Sequence, residues 1–145
     1  MNLEIYQQII TTMDKIEWKG ESRCKYKGIT TQQNPNIFQT FEDFFTKEKF
    51  DYVIEIGTSY GGLSLFLHDQ SLIHNFKFVS YDWFGFMNGK WSHRTDKLKS
   101  QFNGKYPFDF RDKNVFDTST VNEIAEMLEG NKCLLLWDGD RDWET

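Results

Sequence analysis

Proline and cysteine are scarce in this 145-residue chain, with two of each. Cys24 lies in a basic polar stretch and Cys133 opens an apolar run. Two cysteines so placed point away from a disulfide framework and from a metal site. They read as free thiols, and a reducing, cytoplasmic setting is expected. Long apolar runs are missing too: none approaches the roughly 20 residues that a membrane helix needs. The opening residues, Met1 to Ile5, lack the basic-then-apolar profile of a secretory signal. Positive charge is in short supply, with 17 Lys and Arg against 22 Asp and Glu and a net charge of -5. A general affinity for nucleic acid or an anionic membrane surface is therefore not expected. The three histidines, His68, His74 and His93, form no catalytic constellation, and no nucleophile with a paired base is visible.

Aromatic residues are plentiful by contrast: 14 Phe, 6 Tyr and 5 Trp, spread along the chain. Such a chain has enough apolar surface to bury a core and reads as one globular domain over residues 1–145. Residues 1–50 form a helical leader, with amphipathic spacing over 3–16 and a Phe stripe over 36–46, separated by a polar loop from Trp18 to Pro35. Residues 51–145 then alternate. Strands are predicted over 52–56, 76–81, 108–111 and 133–137. Helices are predicted over 61–71, 92–102 and 118–128, the last with Thr118 or Ser119 as N-cap and Gly130 as C-cap. Strand–helix alternation predicts a doubly wound parallel sheet whose strand C-termini share one edge, with ligands bound outside that edge.

The stretch Asp51-Tyr-Val-Ile-Glu-Ile-Gly-Thr-Ser-Tyr-Gly-Gly62 is the most informative. A buried strand ends at an acid, Glu55, and runs through Gly57, Thr58, Ser59, Gly61 and Gly62 into a helix N-terminus. A glycine turn there leaves room for a ligand to approach the backbone, and the free N–H groups of the helix start favour negative charge. Ser59 stands where a dinucleotide fingerprint has its middle glycine, which argues against a nicotinamide enzyme. The motif Glu-x-Gly-x-x-x-Gly-Gly resembles motif I of class I S-adenosylmethionine-dependent methyltransferases. The resemblance implies a Rossmann-like fold, S-adenosylmethionine as cofactor, and Glu55 near its methionine portion.

The other strand ends add polar groups to the same edge. Asp82 closes the second strand, where an acid accepts hydrogen bonds from ribose hydroxyls; a plain turn aspartate is the alternative. Trp83 follows, placed either against an adenine face or in the core. Lys113-Asn-Val-Phe116 resembles the family's segment after the third strand, so that Asn114 and Val115 are implied at the adenine; a capping Asn is the alternative. The segment Asp138-Gly-Asp140-Arg-Asp-Trp-Glu144 resembles an Asp-Gly-Asp-His-Ser-Tyr-Glu stretch. It occurs in a branch of small-molecule and sugar O-methyltransferases and cephalosporin hydroxylase-like proteins. It implies roles for Asp138 in cofactor contact and catalysis, and a divalent cation such as Mg²⁺ held by Asp138 and Asp140. Arg141 replaces the family's His, which puts chemistry assigned to that position in doubt. His93, in the long insert near the expected substrate mouth, is a candidate general base, since imidazole ordinarily titrates in the range such a role needs; a plain surface His is the alternative.

The resemblance implies seven strands, and four are predicted here, so the sheet is expected to be incomplete. A fragment, a protein completed by self-association through the fourth-strand edge, and a non-catalytic module that kept the cofactor half are all open. The expected function is methyl transfer from S-adenosylmethionine to a hydroxyl of a small molecule or sugar. The alternative is a module that binds cofactor or a protein partner without catalysis.

Overall fold

A computed structural model describes residues 24–87 and 92–138, with the side chains of 86, 87, 92 and 93 left aside. The predicted helix over 3–16 and the segment from Gly139 onward lie outside the described residues. Those described form an α/β fold around a four-stranded, wholly parallel sheet. A hairpin comes first: β1 (Cys24–Tyr26) pairs antiparallel with β2 (Ile29–Thr31). Helix α1 (Asn36–Lys47) leads to β3 (Tyr52–Ile56), α2 (Gly62–His74) and β4 (Lys77–Asp82). A 3-10 turn (Phe84–Met87) precedes α3 (Ser92–Phe102), β5 (Asp109–Asp112), α4 (Thr118–Leu128) and β6 (Cys133–Trp137). No helix among the described residues is long and apolar enough to cross a membrane.

The hairpin corrects the expectation of a loop from Trp18 to Pro35. Its strands are three residues each, too short for alternation to show, and its two-residue turn uses Lys27 (φ 47°) and Gly28 (φ 83°). Positive φ at both central positions matches the turn to the twist of the strands. Helix α4 also starts differently from expectation: Asp117, not Thr118 or Ser119, is the N-cap, with extended backbone and no side-chain capping bond. Gly130 (φ 70°) lies one residue past the C-cap, Glu129.

Both faces of the sheet are covered, which is why its central strands read as nearly unbroken apolar runs. On one face Ile37, Phe41 and Phe45 of α1 meet Phe66 and Leu67 of α2, Val53, Phe78, Phe108 and Leu134. The i, i+4, i+8 spacing in α1 puts its three buried groups on one stripe. On the other face Ile124 and Met127 of α4 cover Ile54, Ile56, Val79, Tyr81 and Leu135. There the Tyr81 hydroxyl donates to Glu123 Oε1 at 2.5 Å, and Arg111 donates to both groups, which ties α4 to β4 and β5.

The strand order is β5-β4-β3-β6. From β3 the chain steps outward through β4 to β5, then returns to the other side of β3 as β6. The order therefore reverses at β3, and ligands of open α/β sheets bind at the strand C-termini beside such a reversal.

Phe45 is fully buried, with Phe76 at 4.9 Å and Phe41 stacked at 5.6 Å between ring centroids. We expect Phe45→Ala to cost about 3–5 kcal/mol of unfolding free energy, read as a lower urea midpoint with an unchanged slope. A loss below about 1 kcal/mol would mean that this stripe is not core.

Candidate functional site

The hollow at the reversal is built by the ends of β3, β4 and β6. Glu55, one residue before the end of β3, is buried with 2% of its surface exposed. It points to the α2 face because Val53, two residues before it, does. Its Oε2 accepts from Ser64 Oγ of α2 at 2.5 Å and from Ser80 Oγ of β4 at 2.6 Å. Thr58 Oγ1 lies 2.6 Å from Ser80 Oγ. One carboxyl thus ties together two strands, the helix and the turn. Burial raises its pKa to about 7, against the two serine bonds, which favour the charged form; Asp138 and Asp82 push it further up.

The turn after β3 is locked to β4. The amides of Gly57 and Thr58 donate to the Tyr81 carbonyl at 2.8 and 3.3 Å. Ser59, with φ 51°, donates its amide to Asp82 Oδ2 at 2.9 Å. Asp82 Oδ1 accepts from the Trp83 amide at 2.8 Å. Burial raises the pKa of Asp82, while those two backbone bonds and Arg94 lower it. Trp83 is 39% exposed beside it. Asp82, distant in sequence, therefore shares one rim of the sheet with Glu55 and Ser59.

The glycines of the turn are crowded by the chain itself. A Cβ on Gly57 would stand 2.5 Å from the Asp138 carbonyl oxygen, and one on Gly62 would stand 2.5 Å from that of Thr30. On Gly61, whose φ of 86° already favours glycine, it would meet Phe102 at 2.6 Å and Leu98 at 2.7 Å. At each, the direction a Cβ would take is filled, by Asp138 after β6, by the hairpin and by α3.

The hairpin closes the hollow. Ser59 Oγ donates to Gln32 Oε1 at 3.0 Å, and Gln33 Nε2 donates to Asp138 Oδ2 at 2.8 Å. Gln101 of α3 accepts from the Thr30 amide at 2.8 Å and donates to the Tyr60 carbonyl at 2.7 Å. What stays open, between Gln32, Gln33, Glu55, Thr58, Ser59 and Asp138, is about 10 Å³. That is room for about one water molecule.

Asn114 is held in a turn: its Oδ1 accepts from the Phe116 amide at 3.0 Å and its Nδ2 donates to Asp117 Oδ1 at 3.2 Å. Val115 packs toward the α4-side core. His93 is the second residue of α3, and its side chain is outside those described. Asp140, Arg141 and Glu144 also lie outside the described residues, and among these no group of three or more His, Cys, Asp or Glu is arranged to hold a metal. Cys24 and Cys133 are free thiols. Sequence reading missed Ser64, Ser80, Gln32, Gln33 and Gln101. Ser80 carried a signal: it is a hydroxyl inside the apolar run Phe78-Val-Ser-Tyr81, where a buried polar group needs a partner.

Comparison with known proteins adds no assignment: no family model, curated protein or solved structure matches the chain.

Two expectations follow. The Glu55 carboxyl titrates near 7 when folded and near 4.5 when unfolded. Between these values the folded chain keeps a proton that the unfolded chain has lost, so this group's contribution to stability falls as pH rises. Glu55→Gln removes that loss. Relative to the parent, the variant should gain at most about 3 kcal/mol between pH 4.5 and 8. Urea melts across the range check this; parallel profiles would refute it. Gly61→Ala should lose about 1–3 kcal/mol through its positive φ and the contacts with Leu98 and Phe102, seen as a lower midpoint without any ligand present.

Proposed function

We propose that the chain is the cofactor half of a Rossmann-like domain and binds S-adenosylmethionine at the rim where β3, β4 and β6 end. One observation carries the reading: the Ser59 amide donates to Asp82, joining the glycine turn to the second-strand acid beside the strand-order reversal. The hollow in its closed form does not fit the cofactor. Binding requires Gln32 and Gln33 to release Ser59 and Asp138; Asp82, joined to the Ser59 amide, is the candidate acceptor for ribose hydroxyls. Glu55 supports the site from beneath by fixing Ser64 and Ser80. The reaction that this reading favours is methyl transfer to a hydroxyl of a small molecule or sugar. An in-line displacement needs donor and acceptor held at near-attack geometry, and no protein nucleophile. His93 on α3 is the candidate base for the acceptor hydroxyl. Asp138 and Asp140 are the candidate pair for a divalent cation, although one oxygen of Asp138 already accepts from Gln33.

A second reading is favoured by a separate observation. Each turn glycine is explained by close approach of the chain's own atoms, so the glycine pattern alone does not demand a ligand. In that reading the domain is a non-catalytic module that binds a protein partner and no cofactor at this rim.

Calorimetry and thermal shift on the full chain separate the two. We expect heat and a raised melting temperature with S-adenosylmethionine or S-adenosylhomocysteine, and neither with NAD. Asp82→Asn should weaken that binding at least about tenfold, the loss typical of a hydrogen bond to a charged group. No heat and no shift at millimolar cofactor would leave the module reading in place.

A further inference from the structure

We propose that strand β6 is an interface strand, pairing antiparallel with β6 of a second copy across a two-fold axis at Leu135. The inference is independent of the cofactor reading.

The two edges of the sheet differ in kind. Edge strand β5 carries Asp109, Arg111 and Asp112 within four residues. Charges of this density blunt an edge against further pairing. Edge strand β6 reads Cys133-Leu-Leu-Leu-Trp137 without a charge. Among the described residues it pairs only with β3.

The outward backbone groups of β6 can be identified from its inward ones. The Lys132 carbonyl accepts from the Asp51 amide at 2.8 Å, and the Asp138 amide donates to the Ile56 carbonyl at 2.9 Å. Even-numbered residues therefore direct their backbone groups to β3. By alternation Cys133, Leu135 and Trp137 direct theirs away from the sheet. A two-fold axis at Leu135 sets Leu135 opposite itself and Cys133 opposite the second copy's Trp137. These are three hydrogen-bonded pairs, each exchanging two bonds, so every outward group of the strand is satisfied.

The side chains suit the same register. Leu134 falls opposite the second copy's Leu136, and both lie on the α1 and α2 face. Lys132 falls opposite the second copy's Asp138, so opposite charges meet at both ends. Trp137, 47% exposed and 6.0 Å from the ring of Phe116, would be carried toward the second copy's Leu128, itself 40% exposed. Leu128 adjoins Met127, whose carbonyl accepts from the Cys133 thiol. Shifting the pairing by two residues toward the N-terminus sets Lys132 opposite Leu136 and removes the charge match.

The test uses the full 145-residue chain. Sedimentation equilibrium should give twice the monomer mass. A zero-length carbodiimide should then join Lys132 of one copy to Asp138 of the other, identified by peptide mass spectrometry. Within one copy these two residues sit about 20 Å apart along the strand, so that cross-link forms only between copies. Lys132→Asp alone and Asp138→Lys alone should each weaken the dimer roughly tenfold, since both cross-strand pairs change sign. The double exchange should restore it. A monomer at high micromolar concentration overturns the proposal. So does a dimer that lacks the Lys132–Asp138 cross-link in the unaltered chain, whatever the variants do.

Discussion

A buried carboxyl with two serine donors organises the functional end of this sheet. Glu55 stands where an apolar side chain would pack without difficulty. It is instead held by Ser64 from α2 and Ser80 from β4, with Thr58 of the turn bonded to Ser80 in turn. Strand, helix, neighbouring strand and turn are thereby set relative to one another by directional bonds rather than by packing alone. The arrangement is sensitive: taking away either serine leaves a desolvated carboxyl short of a donor, and the penalty for an unmet buried polar group exceeds the net gain from a met one. The precision of the rim rests on this group, although most of the buried apolar area lies elsewhere.

The electrostatics of the rim follow from its crowding. Glu55, Asp82 and Asp138 lie close enough that the latter two raise the pKa of the first. Asp82 is itself desolvated, and two backbone amides keep it from rising further. A negative, partly dehydrated rim favours ligands that bring hydrogen-bond donors or positive charge and disfavours bare phosphates. This preference has the same direction as the argument from Ser59 in the glycine turn.

Much of this architecture was legible in the chain. The strands at Tyr52–Ile56 and Cys133–Trp137 and the helices at Ser92–Phe102 and Thr118–Leu128 lie where periodicity and turn residues put them. Covered on both faces, the central strands carry short continuous apolar runs, and such runs are hard to mistake once Gly and Asp bound them. The shared rim of Glu55 and Asp82 was legible for the same reason, since parallel strands bring their C-termini together. The hairpin was not, because three-residue strands show no period and Lys27 gives no turn signal. Nor was the purpose of the glycines. Gly57, Gly61 and Gly62 promise space, but what fills that space comes from Asp138, Phe102 and Thr30, distant in sequence. Asn114 illustrates a further limit: its two turn hydrogen bonds join it to residues 116 and 117 in a way that the sequence alone does not show.

The way the hairpin is fastened has a thermodynamic corollary. Its turn is pinned by Lys27 and Tyr26 on Asp69, and β2 by Gln101 at Thr30, whereas Gln32 and Gln33, which follow β2, are latched across the hollow by one side-chain bond each. Two neutral or singly charged side-chain bonds amount to about 2–3 kcal/mol net. The unlatched form is then a minority of roughly one molecule in a hundred, and whatever occupies the hollow binds with its intrinsic affinity diminished by that fraction. A polar residue exchanged at position 32 or 33 would thus tune occupancy without touching the occupant.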